Sequence, residues 1–337
     1  MPPYNLENRL VIGVASSAVF DLVESDGVFR SQGAEEYRKY QEANVSNPLP
    51  KGIAFPFIKR LLALNDISPD PSADPLVEVV LLSRNNPDTG QRVMKTIEHY
   101  SLQITRAIFT EGRSPYDYIP ALNIALFLSA NKGDVDAAIK LGHPAGQVLE
   151  SKFVDDEMDN TLRIAFDFDG VIAGDESEAV MQSEGLPGFL DHEVKNVMQP
   201  HNPGPLKEFL VRVRSIQSAE EAYKTHFPEY LNRIRVSIIT ARSAPTHERA
   251  LQTLKSWGVM ANDAFFLGGI EKGKVLGVLK PHIFFDDSSG QLQSASAVVP
   301  SVHIPFGIIN QNPSQDKQSA DSSVLLAIDS HPLCQER

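Results

Sequence analysis

The chain has 337 residues, 42% apolar and 22% charged, which suits two ordinary cores in a soluble protein. Its net charge of −12 argues against a nucleic-acid binder, which needs a basic face to displace counterions, and means an anionic ligand must be drawn in by local cations. The only cysteine, Cys334, excludes an intramolecular disulfide and a thiolate metal site.

In chain order, Arg9–Ser16 reads as a strand, Gly33–Ala43 as a polar helix and Ile58–Asn65 as an apolar-striped helix. Val77–Ser83 is a strand, followed by a helix through about Tyr100. Arg106–Thr110 and Ile124–Ser129 are strands, and Asp134–Leu141 is a helix. The segment Glu150–Asn160 holds five acids and no apolar periodicity, so it is the expected boundary. A second set of elements starts at Leu162. The stretch from Asp175 to Arg235 is too long for a simple crossover and is expected to form a small helical cap. After Asn310 the chain is Ser/Gln/Asp-rich, with an apolar island at Val324–Ile328, and residues 311–337 read as a partly ordered tail. No run reaches the ~20 apolar residues of a membrane span. The first residues carry no basic and apolar signal block, so a cytoplasmic protein is expected.

The run Ile164-Ala-Phe-Asp-Phe-Asp-Gly-Val-Ile172 is the most informative stretch. Alternate strand residues share a face, so Asp167 and Asp169 reach one rim of a sheet, with Gly170 turning the chain behind them. That rim, at the carboxyl ends of parallel strands, is where open α/β sheets bind ligands. One carboxylate can attack phosphorus while its neighbour protonates the leaving oxygen. An Asp-x-Asp pair also occurs in surface loops and metal-binding turns, so it needs support. Three further elements supply it: Val236–Thr240 ends in a hydroxyl, Gly268–Lys274 carries lysines, and Ile283–Asp287 ends in paired acids.

Together these resemble motifs I to IV of the haloacid dehalogenase-like phosphohydrolases. Longer strings resemble the cytosolic 5′-nucleotidases of type I: DESE at Asp175–Glu178, GPLKEFL at Gly204–Leu210, TARS at Thr240–Ser243, LKSWG at Leu254–Gly258 and KPHIFFDD at Lys280–Asp287. EEYRKYQ at Glu35–Gln41 and AFPFIK at Ala54–Lys59 extend the likeness into the front half, so it covers most of residues 8 to 308. The chain departs from the vertebrate pattern at Phe168 and Gly170, which give motif I its ordinary phosphohydrolase form and bear on fine substrate preference.

The resemblance implies Mg2+-dependent hydrolysis of a nucleoside 5′-monophosphate, AMP-like, through an aspartyl-phosphate. Asp167 is then the nucleophile and Asp169 the general acid and base. Thr240, Ala241, Arg242 and Lys272 hold phosphate, and Asp167, the backbone carbonyl of Asp169, Asp286 and Asp287 are the metal group. Cations are needed because each pair of like charges at ~4 Å and an effective dielectric of ~20 costs about 4 kcal/mol. Several roles stay open. Lys274 competes with Lys272, although the string Gly-x-x-Lys-Gly favours Lys272. Asp287 is a metal partner or an acceptor for loop amides. Asp175, Glu176 and Glu178 suit a solvated helix start. Arg242 is a phosphate ligand or an ion-pairing surface residue, Phe168 is core or closes over a sugar, and Trp257 packs a helix. The nine histidines show no ligand spacing. Two other functions fit the same residues: a phosphatase for another small metabolite such as a sugar phosphate, and a nucleotide sensor without turnover. A homo-oligomer is left open.

The chain also repeats itself. Shifted so that Val79 falls on Val236, Ser83 falls on Thr240, Arg92 on Arg249, Thr96 on Thr253, Phe109 on Phe266, Phe127 on Phe284 and Ser129 on Asp286, without a gap. The run Leu10–Ala18 has the form of the strand ending at Asp167. The expected architecture is therefore two Rossmann-like parallel-sheet α/β cores. Residues 8–149 are a degenerate copy, and residues 161–310 are the catalytic copy with its cap at about 175–235. Ser16, Ala18, Pro115 and Ser129-Ala130 stand where Asp167, Asp169, Lys272 and Asp286-Asp287 stand in the second copy. Shared α/β periodicity alone is the competing explanation.

Overall fold

A computed structural model describes residues 4–71 and 74–311; the expected tail, with Val324–Ile328, lies outside the described residues. The chain clusters into two compact units. One holds the residues up to Leu149 with Asp155–Leu162 and Ser215–Arg233. The other holds Glu150–Val154, Arg163–Arg214 and the described residues from Ile234 on.

The front half runs β1 (Leu10–Val14), α1 (Ser16–Val19), α2 (Val23–Ala43), α3 (Phe55–Ala63), β2 (Val77–Ser83), α4 (Pro87–His99), β3 (Arg106–Phe109), β4 (Ile124–Ser129), α5 (Lys132–Lys140) and β5 (Ala145–Val148). Its strands lie in the order β3-β2-β1-β4-β5, all parallel. Strands covered on both faces read as unbroken apolar runs, and β2 and β4 are buried at every position. Asn86 and Asn131 cap α4 and α5 by accepting from the Thr89 and Gly133 amides.

The back half runs β6 (Leu162–Phe166), α6 (Glu176–Lys195), α7 (Lys207–His226), β7 (Ile234–Thr240), α8 (His247–Ser256), β8 (Asp263–Phe266), α9 (Lys272–Leu279), β9 (Ile283–Asp286), α10 (Ser289–Ser296), β10 (Ser301–His303) and α11 (Gly307–Gln311). Its strands take the order β8-β7-β6-β9-β10, and the recorded pairings are parallel. Phe166, Phe209 and Phe285 form its aromatic centre, with ring centroids 5.2–5.9 Å apart. Among the described residues, no helix is long and apolar enough to cross a membrane.

The first half of α2 and strand β5 were not expected. Helix α2 starts ten residues before Gly33, and its only buried residues are Ser25 and Gln41, so no apolar stripe marks it. Strand β5, Ala-Gly-Gln-Val, is too short and mixed to stand out. Both α2 and α6 kink at a glycine with positive φ, Gly33 (84°) and Gly185 (70°).

Residues 155–159 of the acidic segment are tied down within their own unit. Arg60 donates to the carbonyls of Asp159 (3.0 Å) and Asp156 (2.7 Å) and pairs with Asp155, and Lys51 pairs with Glu157.

Candidate active site

Strands β9, β6 and β7 are neighbours, and their carboxyl ends carry Asp286, Asp167 and Thr240. The Asp167 amide still donates to the Phe285 carbonyl at 2.8 Å, so the sheet ladder fixes its position. Its side chain takes the Phe168 amide on one oxygen (2.7 Å) and Lys272 Nζ on the other (2.8 Å). The same ammonium donates to Asp286 Oδ2 at 2.7 Å, while Asp286 Oδ1 accepts from the Ser288 amide. Lys272 opens α9 and is buried. Lys274 is exposed and lies 3.8 Å from Glu271, so Lys272 is the lysine that reaches the acids.

Oxygens of Asp167, Asp286 and Asp287 all lie within 4.8 Å of one another, and all three residues are buried. Three carboxylates against one ammonium leave excess negative charge. Burial, opposed by Lys272 and reinforced by Asp286, pushes the Asp167 carboxyl up to about 7. Burial and the neighbouring acids push Asp287 well above the usual range. Burial works against the charge on Lys272, but Asp167 and Asp286 outweigh it and hold the ammonium above its ordinary range. Such an all-oxygen, electron-rich, closely spaced donor set fits a hard divalent cation of the magnesium type.

Thr240 ends β7, and its Oγ1 accepts from the Arg242 amide (3.2 Å), leaving its O–H to donate. Ala241 and Ser243 are exposed. Arg242 is neither a surface residue nor an uncommitted cation. It is 4% exposed, and its Nε and Nη2 grip both oxygens of Asp169 at 2.7 Å each. It also contacts Glu193, Ser177 Oγ (2.9 Å), His201 Nε2 (3.0 Å) and the Thr246 carbonyl (3.2 Å), and it lies over the Phe168 and Phe189 rings. Desolvation opposes its charge, but Asp169 and Glu193 hold it protonated above the usual range. The Asp169 carboxylate thus faces Arg242 and not the three-acid cluster, so a contribution from Asp169 to a metal would come from its backbone.

Glu193, on α6, is fully enclosed and also binds Arg249 (2.8 Å) and His201 (3.1 Å). Burial raises its carboxyl, yet the bonds from His201 and Arg242 hold it well below the usual range. Sequence reasoning missed Glu193, His201 and Arg249. An isolated Glu on a helix ordinarily reads as solvent-facing, and only the matching of Arg249 to Arg92 hinted at a shared buried role.

The remaining candidates resolve locally. Phe168 is core, edge-on to His201 at 5.3 Å. Glu176 starts α6 paired to Arg249 (2.7 Å), and Asp175 accepts the Ile308 amide. Trp257 closes α8 beside Lys207.

A parallel α/β protein with a buried carboxylate–lysine centre on adjacent strand ends is the class that fold and site define. The 5′-nucleotidase family model matches residues 2–311, and the chain belongs to that family. It is 33% identical over 298 residues to human cytosolic 5′-nucleotidase 1B, covering 87% of this chain and 48% of the relative. The chain therefore spans about half the length of that curated relative. No solved structure matches.

Proposed function

We propose that this chain hydrolyses nucleoside 5′-monophosphates, AMP-like ones included, to nucleoside and phosphate with magnesium and through an aspartyl-phosphate. The observation that carries the reading is the Asp167–Lys272–Asp286–Asp287 centre on adjacent strand ends, with Asp169 two residues beyond the nucleophile. Family membership and the relative's name support the substrate class.

An Asp167 oxygen bonds to phosphorus as the P–O5′ bond breaks, and Asp169 gives a proton to O5′. Water then attacks the same phosphorus, Asp169 takes its proton, the bond to Asp167 breaks and phosphate leaves. Lys272 offsets charge on Asp167 and on phosphate, and the Thr240 hydroxyl donates to a phosphoryl oxygen. Magnesium held by Asp167, Asp286 and the Asp169 carbonyl, with Asp287 beside them, would supply the remaining positive charge. Phosphate release from a panel of nucleotides and sugar phosphates tests this: no turnover means a sensor, and faster sugar phosphates mean another phosphatase.

We further propose that the two halves are copies of one unit. The strand orders β3-β2-β1-β4-β5 and β8-β7-β6-β9-β10 match element for element. Local bonds recur: Asn85 amide to Ser83 Oγ and Arg242 amide to Thr240 Oγ1, both 3.2 Å; Asn131 amide to Ser129 Oγ and Ser288 amide to Asp286 Oδ1. The likeness extends to the expected cap, because α2 and α6 kink at matching glycines. Register refines the front pairing by one residue. The Ala15 amide donates to Leu128 O as the Asp167 amide does to Phe285 O, so Ala15, not Ser16, stands for the nucleophile. Ser17 then stands for Asp169, and the front turn is one residue shorter, with nothing matching Gly170. The front copy lacks the carboxylates for attack or metal and is proposed to be chemically dead.

A further inference from the structure

We propose that Glu193, with Arg242 and His201, is a positioning device whose task is to fix the carboxylate of Asp169 for proton transfer to and from the substrate. The inference rests on the reading of Asp169 as general acid and base.

The geometry is a chain of fixed contacts. Asp169 is 27% exposed at its side chain and would otherwise rotate, but the planar fork of Arg242 takes both its oxygens. Arg242 is in turn held by Glu193 on its Nη1 and by Ser177, beside Asp169, on its Nη2. Glu193 is anchored by Arg249 and His201, and His201 by Thr253 (2.9 Å). A buried ionic cluster of this size is costly to desolvate and is weak evidence for stability, so its presence calls for a reason other than stability.

The front half supplies an internal control. Arg92 binds the Asn47 carbonyl as Arg249 binds the Gln199 carbonyl, both at 2.9 Å, and Thr96 caps the Leu49 amide as Thr253 caps the His201 amide, both at 3.1 Å. The scaffold therefore stands without the charges. Gln41 occupies the place of Glu193 and accepts from Arg92 at 3.2 Å, Asn85 takes the place of Arg242, and Leu49 that of His201. In place of an ionic cluster stand the neutral side chains of Gln41 and Asn85. The charged members are missing where the acid is Ser17 and present where it is Asp169. Arg249 and Thr253 belong to the shared framework; Glu193, Arg242 and His201 go with the acid.

The test measures kcat and KM of the full chain with magnesium on AMP and on para-nitrophenyl phosphate, whose leaving group needs little protonation. Glu193→Gln should lower kcat on AMP by tenfold or more, since a misplacement of ~1 Å can cost about a hundredfold, while KM stays within about twofold and the aryl phosphate rate falls far less. Should Glu193→Gln unfold, Glu193→Gln/Arg242→Asn recreates the front pair Gln41/Asn85, removes both charges together and should show the same split. Equal losses on both substrates, or an unchanged AMP rate, overturn the proposal. A wild-type chain that turns over the aryl phosphate but not AMP overturns the substrate reading instead, and one inert on both removes Asp169's role and this proposal with it.

Discussion

Gly170 and Asp287 approach so closely that no side chain fits between them: a Cβ on Gly170 would lie 1.9 Å from Asp287 Oδ2. The glycine also sits at φ +71°, a conformation that other residues adopt only with strain. The turn that carries Asp169 is thereby packed against the acid cluster. Gly170→Ala should displace Asp287 or the turn, cutting phosphate release by at least about tenfold and weakening magnesium binding. Calorimetric titration with magnesium checks the second effect, and unchanged binding would contradict the packing argument.

Asp167→Asn should abolish turnover and keep the fold, since amide and carboxyl are similar in size. In metal-free protein it should also change the pH dependence of stability. The wild-type carboxyl rises from an ordinary 3.8 to about 7 on folding. Folding therefore favours the protonated form, and stability present below 3.8 is lost as pH climbs through about 7. Melting of chelated wild type should fall across that window relative to the variant, then run parallel above it. Added magnesium should restore the wild type alone.

Asp169→Asn should slow nucleotide hydrolysis far more than hydrolysis of an aryl phosphate. Equal slowing would assign Asp169 a structural or purely metal-related part.

Chelation should silence the chain, magnesium should restore it and calcium should not, because calcium's longer, looser coordination misplaces the attacking carboxylate. Full activity in a chelator would remove the metal from the scheme.

Glu193 gives a second pH signature, of opposite sense. Its carboxyl is held below the ordinary 4.5, so the stability it contributes is present above 4.5 and fades as acid protonates it. The gap in melting temperature between wild type and Glu193→Gln should be widest near neutrality and close as pH drops below 4.5. A gap independent of pH would mean that the charge is irrelevant.

Much of this layout was legible because burial on both faces leaves a plain trace. Val79–Leu82 and Ile124–Leu128 are unbroken apolar runs, and the strands around them keep the expected bounds Val77–Ser83 and Ile124–Ser129. The acids at Asp167 and Asp286 were visible because an apolar run ending in carboxylate is costly unless a partner waits. The string Gly-x-x-Lys-Gly already favoured Lys272 over Lys274, and its burial against the acids agrees. The residues of the Glu193 cluster were illegible for a physical reason. Their contacts join polar atoms across long sequence separations, such as Arg242 to Glu193 and Arg249 to Gln199, and polar residues carry no periodicity when buried.

On the proposed pairing, the missing counterpart of Gly170 makes the loss of chemistry in the front half irreversible by substitution. Carboxylates restored at Ala15, Ser17, Ser129 and Ala130 would stand on a backbone one residue too short, where the short helix Ser16–Val19 takes the place of the open turn. Revival would require an insertion as well as new side chains. A lineage that drifts by point mutation can explore new uses for that half without regaining the old one.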